Sequence, residues 1–145
     1  MNSLTDPASI RHRRELWKQH CQERLEPFLA AVRAHPLDAR AHYGVGLLYL
    51  LGSEGAKASL QAALRSANRS AALRADSAEV HALLATIHDQ LGDPKRALAS
   101  AREAARLAPR DRDYTNFLLA MLASAARTRH FRSVRRATGV ARGAA

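Results

Sequence analysis

The chain has little cysteine: Cys21 is the only one in 145 residues. No internal disulfide and no cysteine-built zinc site can form, and a reducing compartment, the cytoplasm, is expected. Aromatic residues make up only 5% of the chain and β-branched residues are few, which disfavours sheets. Long apolar runs are missing as well. The longest, VGLLYLLG from Val45 to Gly52, falls far short of the roughly 20 residues that cross a bilayer, so no transmembrane segment is expected. Met1 to Ile10 lacks the basic start and apolar centre of a signal peptide, so none is expected there. Acidic residues are also scarce. Lysine and arginine number 23 against 13 aspartates and glutamates, a net charge of +10, and Tyr114 to Ala145 holds six arginines and no acid.

What is present favours helices. Apolar residues form 47% of the chain, mostly alanine and leucine, in a length typical of one domain. The excess charge suits an acidic partner, nucleic acid or an anionic surface. Arginine outnumbers lysine 20 to 3, however. With so much alanine, that skew reads as GC-rich coding as much as selection for phosphate binding.

Spacing locates the helices. Val80, Leu83, Leu84, Ile87 and Leu91 recur on one helical face. Asp76 or Ser77 caps its start, with Glu79 placed as in a capping box. Gly92 ends it in the left-handed conformation, Asp93 caps the next helix, and Pro94 takes the first helical position. Ala97, Leu98, Ala101, Ala104, Ala105 and Ala108 line that second helix until Pro109. The short link makes the two an antiparallel hairpin, and the alanines let neighbouring helices approach closely. Asp38 to Gly52 repeats the outline of Ser77 to Gly92, and Phe28 to Ala39 that of Ser100 to Asp111. After Pro109 comes another first helix, with Tyr114, Phe117, Leu118, Met121 and Leu122 on its apolar side. Ala56 to Ala75 reads as one extended helix or as two broken near Ser66 to Ser70.

These residues resemble the tetratricopeptide repeat (TPR) family. With Ala78 as the first position of the 34-residue motif, Leu84, Ala85, Gly92, Ala97, Ala104 and Pro109 fall on signature positions without a gap. Gly46, Tyr49, Phe28, Ala31 and Pro36 match earlier units, and the resemblance runs from Glu23 to Ser124. His81 and His88 stand where the family prefers tryptophan and tyrosine, Ala101 replaces an aromatic residue, and Gly44 weakens a helix expected to be rigid. The resemblance implies an all-α stack of antiparallel helix pairs, a TPR-like α-solenoid. It divides into an N-terminal capping helix (1–22), a helical repeat domain (23–126) and an arginine-rich C-terminal helix or flexible tail (127–145). The N-terminal helical stretch from Ile10 to Leu25 carries Ile10, Leu16, Trp17, Cys21 and Leu25, and Pro27 is expected to kink or restart it.

The resemblance also implies a concave groove made by the first helix of each repeat. The matching positions are Arg40, Tyr43, Leu47, Leu50 and Leu51; then Glu79, Ala82, Thr86, Asp89 and Gln90; then Asp113 and Asn116, with Ala120. One end is greasy and the other polar or acidic, which suits a peptide with an apolar anchor. The N-terminal helix could instead cover the leucines. No lysine occupies a mapped position, which argues against the chaperone-tail clamp of some family members.

Other chemistry finds little support. His81 and His88 are seven apart, about two turns, whereas zinc ligands on one helix usually sit four apart, so packing is the expected role and no metal site is read. Cys21 and His20 are adjacent and point apart on a helix. No glycine-rich phosphate loop, nucleophile elbow or suitable carboxylate pair occurs. A non-catalytic, cofactor-free adaptor that binds a protein or peptide partner is therefore the first expectation. The second is a basic helical protein that binds nucleic acid or an anionic surface through Arg127, Arg129, Arg132, Arg135 and Arg136, and through RHRRELWK near the N-terminus. Self-association through the C-terminal helix, or stacking of Phe131 and Val134 over it, would cover Phe117, Leu118 and Met121.

Overall fold

The computed structural model describes residues 7–137. They form six helices: α1 (Pro7–Ala34), α2 (Ala39–Leu51), α3 (Lys57–Leu73), α4 (Ala78–Gln90), α5 (Pro94–Leu107) and α6 (Arg112–Ala137). No strand occurs among the described residues, and the protein is all-α. The Asp6 cap and the loose tail around Gly139 and Gly143 lie outside the described residues.

Polar caps set the helix starts. The Asp38 carboxylate accepts the Arg40 and Ala41 amides at α2, and the Asp93 carboxylate accepts the Arg96 amide at α5, where Pro94 holds the first turn. At α4 the cap is Ser77, whose hydroxyl accepts the Val80 amide. Asp76 is therefore one residue too early, and the capping box with Glu79 does not form; Asp76 lies 3.8 Å from Arg74 instead. Gly92 has a φ of +79° and turns the chain into α5 as expected. Gly52 does not do the same at the end of α2: its φ is −90°, and the left-handed positions of that longer turn are Glu54 and Gly55.

Two ambiguous segments are continuous helix. α3 runs unbroken through Ser66 and Ser70. α1 runs through Pro27 without restarting. The proline frees the carbonyl of Glu23, an exposed residue whose backbone oxygen water can serve.

Helices adjacent in sequence pack antiparallel. Trp17 Nε1 donates to the Leu51 carbonyl at 3.0 Å, Cys21 abuts Gly52, and the Phe28 ring rests on Gly44, so α1 descends along α2. Ser70 Oγ, fully buried near the end of α3, donates to the Ala39 carbonyl at the start of α2 at 2.8 Å. α2 and α4 consequently run parallel. The core lies among α2, α3 and α4, with Leu50, Leu60, Val80, Leu83, Leu84 and Ile87 closing on Ala63 and Ala67. Each large aliphatic side chain buried there contributes about 2 kcal/mol. In α5 the buried residues are Ala97, Ala101 and Ala104, with at most 1% exposure. Side chains that small let neighbouring helices approach closely.

Helix starts recur along the chain. The first residues of α2 and α4, Ala39 and Ala78, are 39 apart, and Arg112 opens α6 34 residues after Ala78. Matched residues do matched work. His42 donates to the Pro36 carbonyl at 2.9 Å, and His81 to the Ala75 carbonyl at 3.0 Å, each reaching back over its own helix start. A carbonyl only accepts, so each ring carries the proton on Nε2.

Candidate functional site

α2, α4 and the start of α6 share one face. There a cavity of about 230 Å³ is open to solvent. Tyr43, Leu47 and Leu50 line it from α2, Glu79, Ala82, Leu83 and Thr86 from α4, and Tyr114 from α6. The helical repeat explains the lining: Tyr43, Leu47 and Leu50 are one stripe on α2, and Glu79, Ala82 and Thr86 the matching stripe on α4.

The floor is apolar and the mouth polar. Leu50 and Leu83 are buried, while Leu47, Ala82 and Thr86 are half-buried. The Thr86 hydroxyl is turned back onto the Ala82 carbonyl, leaving its methyl for the cavity. Burial raises the Tyr43 phenol above its ordinary pKa, and the Glu79 carboxylate and Tyr114 add to the effect. Tyr114 is raised by burial first, then by Glu79, Asp111 and Asp113. Both phenols therefore keep their protons at neutral pH and can donate, and Glu79, exposed between them, can accept. The arrangement offers a shallow apolar seat with two hydroxyl donors and one carboxylate at its edge.

The expected groove residues divide. Tyr43, Leu47, Leu50, Glu79, Ala82 and Thr86 come together here. Arg40 lines a neighbouring depression of about 30 Å³, with Tyr43 and Glu79. Leu51 is 43% exposed but outside the cavity, its carbonyl bonded to Trp17. Asp89, Gln90, Asp113 and Asn116 are exposed and do not line it. Tyr114 enters from α6 in their place. Its aromatic character placed it on the helix's apolar side in the sequence, but not in the groove. The N-terminal helix does not cover Leu47 and Leu50. α1 packs on the opposite side of α2, where Lys18, Cys21, Leu25, Leu48, Tyr49 and Gly52 surround a separate cavity of about 280 Å³.

Cys21 lies in that second cavity. It is 3% exposed, and burial raises its thiol above the ordinary value despite the opposing pull of Arg24. It is a packing thiol rather than an activated nucleophile. His20 faces Trp17, with ring centroids 5.9 Å apart. Three further histidines have structural neighbours. His42 and His81 tie down loops, and His88 is pushed below the ordinary imidazole range, mainly by burial.

The five arginines Arg127, Arg129, Arg132, Arg135 and Arg136 are all exposed on α6. No ion pair among the described residues uses them. Only Arg129 and Arg132 turn towards α5 and line the cleft between the two helices. α6 is continuous to Ala137, so Phe131 and Val134 cannot fold back over Phe117, Leu118 and Met121. They remain 63% and 43% exposed.

No family model matches the chain, and no curated protein compared with it matches.

Proposed function

We propose that the protein is a non-catalytic, TPR-like adaptor that holds a protein segment on the face shared by α2, α4 and α6. One observation carries the reading: three helices from successive repeats contribute to a single apolar-floored cavity edged by Tyr43, Glu79 and Tyr114. The 34-residue offset between α4 and α6 and the alanine-lined α5 support the family resemblance. Rigid helices present these groups already ordered, so binding loses little side-chain or loop entropy at the site. The ligand that fits is an extended or helical segment with one apolar anchor and a hydrogen-bonding group for the phenols.

The test is selection of binders from a random peptide display library on the immobilised full chain. A selected peptide is then titrated by fluorescence anisotropy at low and moderate salt. Ala82→Arg, which fills the seat, is expected to weaken binding at least about tenfold, while a fourfold rise in salt changes it little. Binding unaffected by Ala82→Arg overturns the proposal.

A second reading rests on the exposed arginines of α6, which suit nucleic acid or an anionic surface. Its signature is a steep fall of affinity with salt, removed by replacing Arg127, Arg129, Arg132, Arg135 and Arg136 with glutamine.

A further inference from the structure

α6 overhangs α5. It runs antiparallel to α5 and continues past Pro94, where α5 begins, so its α5-facing stripe loses its partner around Thr128. A cleft of about 300 Å³ opens there, at the lower end of the range for ligand pockets. Its floor is apolar: Leu98 from α5, and Leu122 and Ala125 from α6. Its rim is cationic, with Lys95 and Arg102 on one wall and Arg129 and Arg132 on the other. All four cations are exposed, no ion pair among the described residues uses them, and no acidic side chain lines the cleft. The acid next to it in sequence, Asp93, is engaged by the Arg96 amide and guanidinium.

The same place in the preceding repeats shows what the cleft lacks. Leu98, Leu122 and Ala125 correspond, through the 34- and 39-residue offsets, to Leu64, His88 and Leu91 and to Leu25, Tyr49 and Gly52. There the chain turns at once into the following helix. Ser59 of α3 borders the cavity beside Tyr49, and Asp93 and Arg96 of α5 lie close enough to His88 to perturb it. In the third unit α6 runs straight on and supplies arginines instead.

We propose that this cleft binds an acidic peptide segment of a partner protein, one apolar side chain entering between Leu98 and Leu122 while flanking carboxylates meet the four cations. The proposal is independent of the groove on α2, α4 and α6, since the two sites share no residue. Three features favour a peptide. The apolar floor has the size of one large side chain, which a phosphate chain does not supply. The lining contains no aromatic platform of the kind on which single-stranded nucleic acid stacks. The apolar residues that could enter a membrane, Phe131 and Val134, lie outside the cleft, so its cations and a lipid-inserting edge do not coincide. Guanidinium forks on both walls match carboxylates in two-point geometry.

The test uses the full chain and fluorescein-labelled peptide pools of mixed aspartate and glutamate with a fixed central leucine, phenylalanine or glycine. Anisotropy titrations should show the leucine or phenylalanine pool binding about tenfold tighter than the glycine pool. Arg129→Gln with Arg132→Gln should weaken it about fivefold or more, whereas Arg127→Gln with Arg135→Gln, which removes the same charge outside the cleft, should change it less than about twofold. Thr128→Trp, which plugs the cleft without altering charge, should weaken binding as the first pair does. Helical content of each variant is checked by circular dichroism. Equal binding of the glycine pool, or equal effects of the two arginine pairs, overturns the proposal. So does tighter binding of oligouridylate or phosphatidylserine vesicles that the Arg129 and Arg132 substitutions abolish.

Discussion

The Phe28 ring occupies the space that a side chain at Gly44 would fill; even a single methyl group there would overlap it. Thirty-nine residues later the arrangement is inverted: Ala67 corresponds to Phe28 and Leu83 to Gly44. At this place the two interfaces thus each have one large and one small partner, exchanged between the two units. The glycine that weakens α2 as an isolated helix is what lets α1 dock on it.

A double-mutant cycle tests this exchange. Phe28→Ala should cost about 2 kcal/mol through the cavity it leaves. Gly44→Leu should cost about 1–2 kcal/mol, its overpacking partly offset by better helix propensity. The pair together rebuilds the pattern of Ala67 and Leu83, and should be less destabilising than the sum of the single changes by about 1 kcal/mol. Urea denaturation followed by circular dichroism gives all three values, and simple additivity would remove the complementarity.

Ser70 links the end of α3 to the start of α2, its hydroxyl buried and bonded to the Ala39 carbonyl. Ser70→Ala leaves that carbonyl within its own helix but removes the tie. A loss of about 1 kcal/mol is expected, or about 3 °C in Tm for a chain of this size. An unchanged Tm would mean that the bond adds nothing net.

His88 sets a pH dependence. Its folded pKa is depressed, chiefly by burial, with Arg96 acting in the same direction and Asp93 against it. The unfolded chain therefore takes the proton first as the pH falls. The contribution to stability is complete above the ordinary imidazole value of about 6.5 and is lost on acidification through it. Thermal melts between about pH 7.5 and 5.5 should show a decline in Tm that is smaller in His88→Gln. A variant with the full decline would place the titration elsewhere.

Cys21 is expected to be slow to modify. Burial against Gly52 and a raised pKa leave little accessible thiolate. A thiol-reactive chromogen should react with the native protein at least about tenfold more slowly than with the urea-unfolded chain. Gly52→Ala crowds the Cys21 Cβ and should speed the native reaction by loosening the docking of α1.

The groove was partly legible in the sequence. Of the residues that the resemblance picked out, Tyr43, Leu47, Leu50, Glu79, Ala82 and Thr86 line one cavity, since each helix's share falls on one stripe. Asp113 and Asn116 lie outside that cavity because the rotation of α6 depends on how its apolar side settles on α5, and that brings Tyr114 forward. The cleft rimmed by Arg129 and Arg132 was seen only as a basic run. Nothing local separates the two arginines that face α5 from the three that do not.

Helices, caps and hairpin turns were determined by the sequence itself, because they depend on interactions within a few residues: an Asp93 carboxylate three positions from an amide, a left-handed Gly92, an apolar stripe at helical period. The packing of Phe28 on Gly44, the entry of Tyr114 into the groove and the overhang of α6 were decided by tertiary structure. Each depends on the distance and rotation between elements remote in the chain. Those are set by the fit of whole helix surfaces, in which one glycine or one extra turn changes what is covered and what stays open.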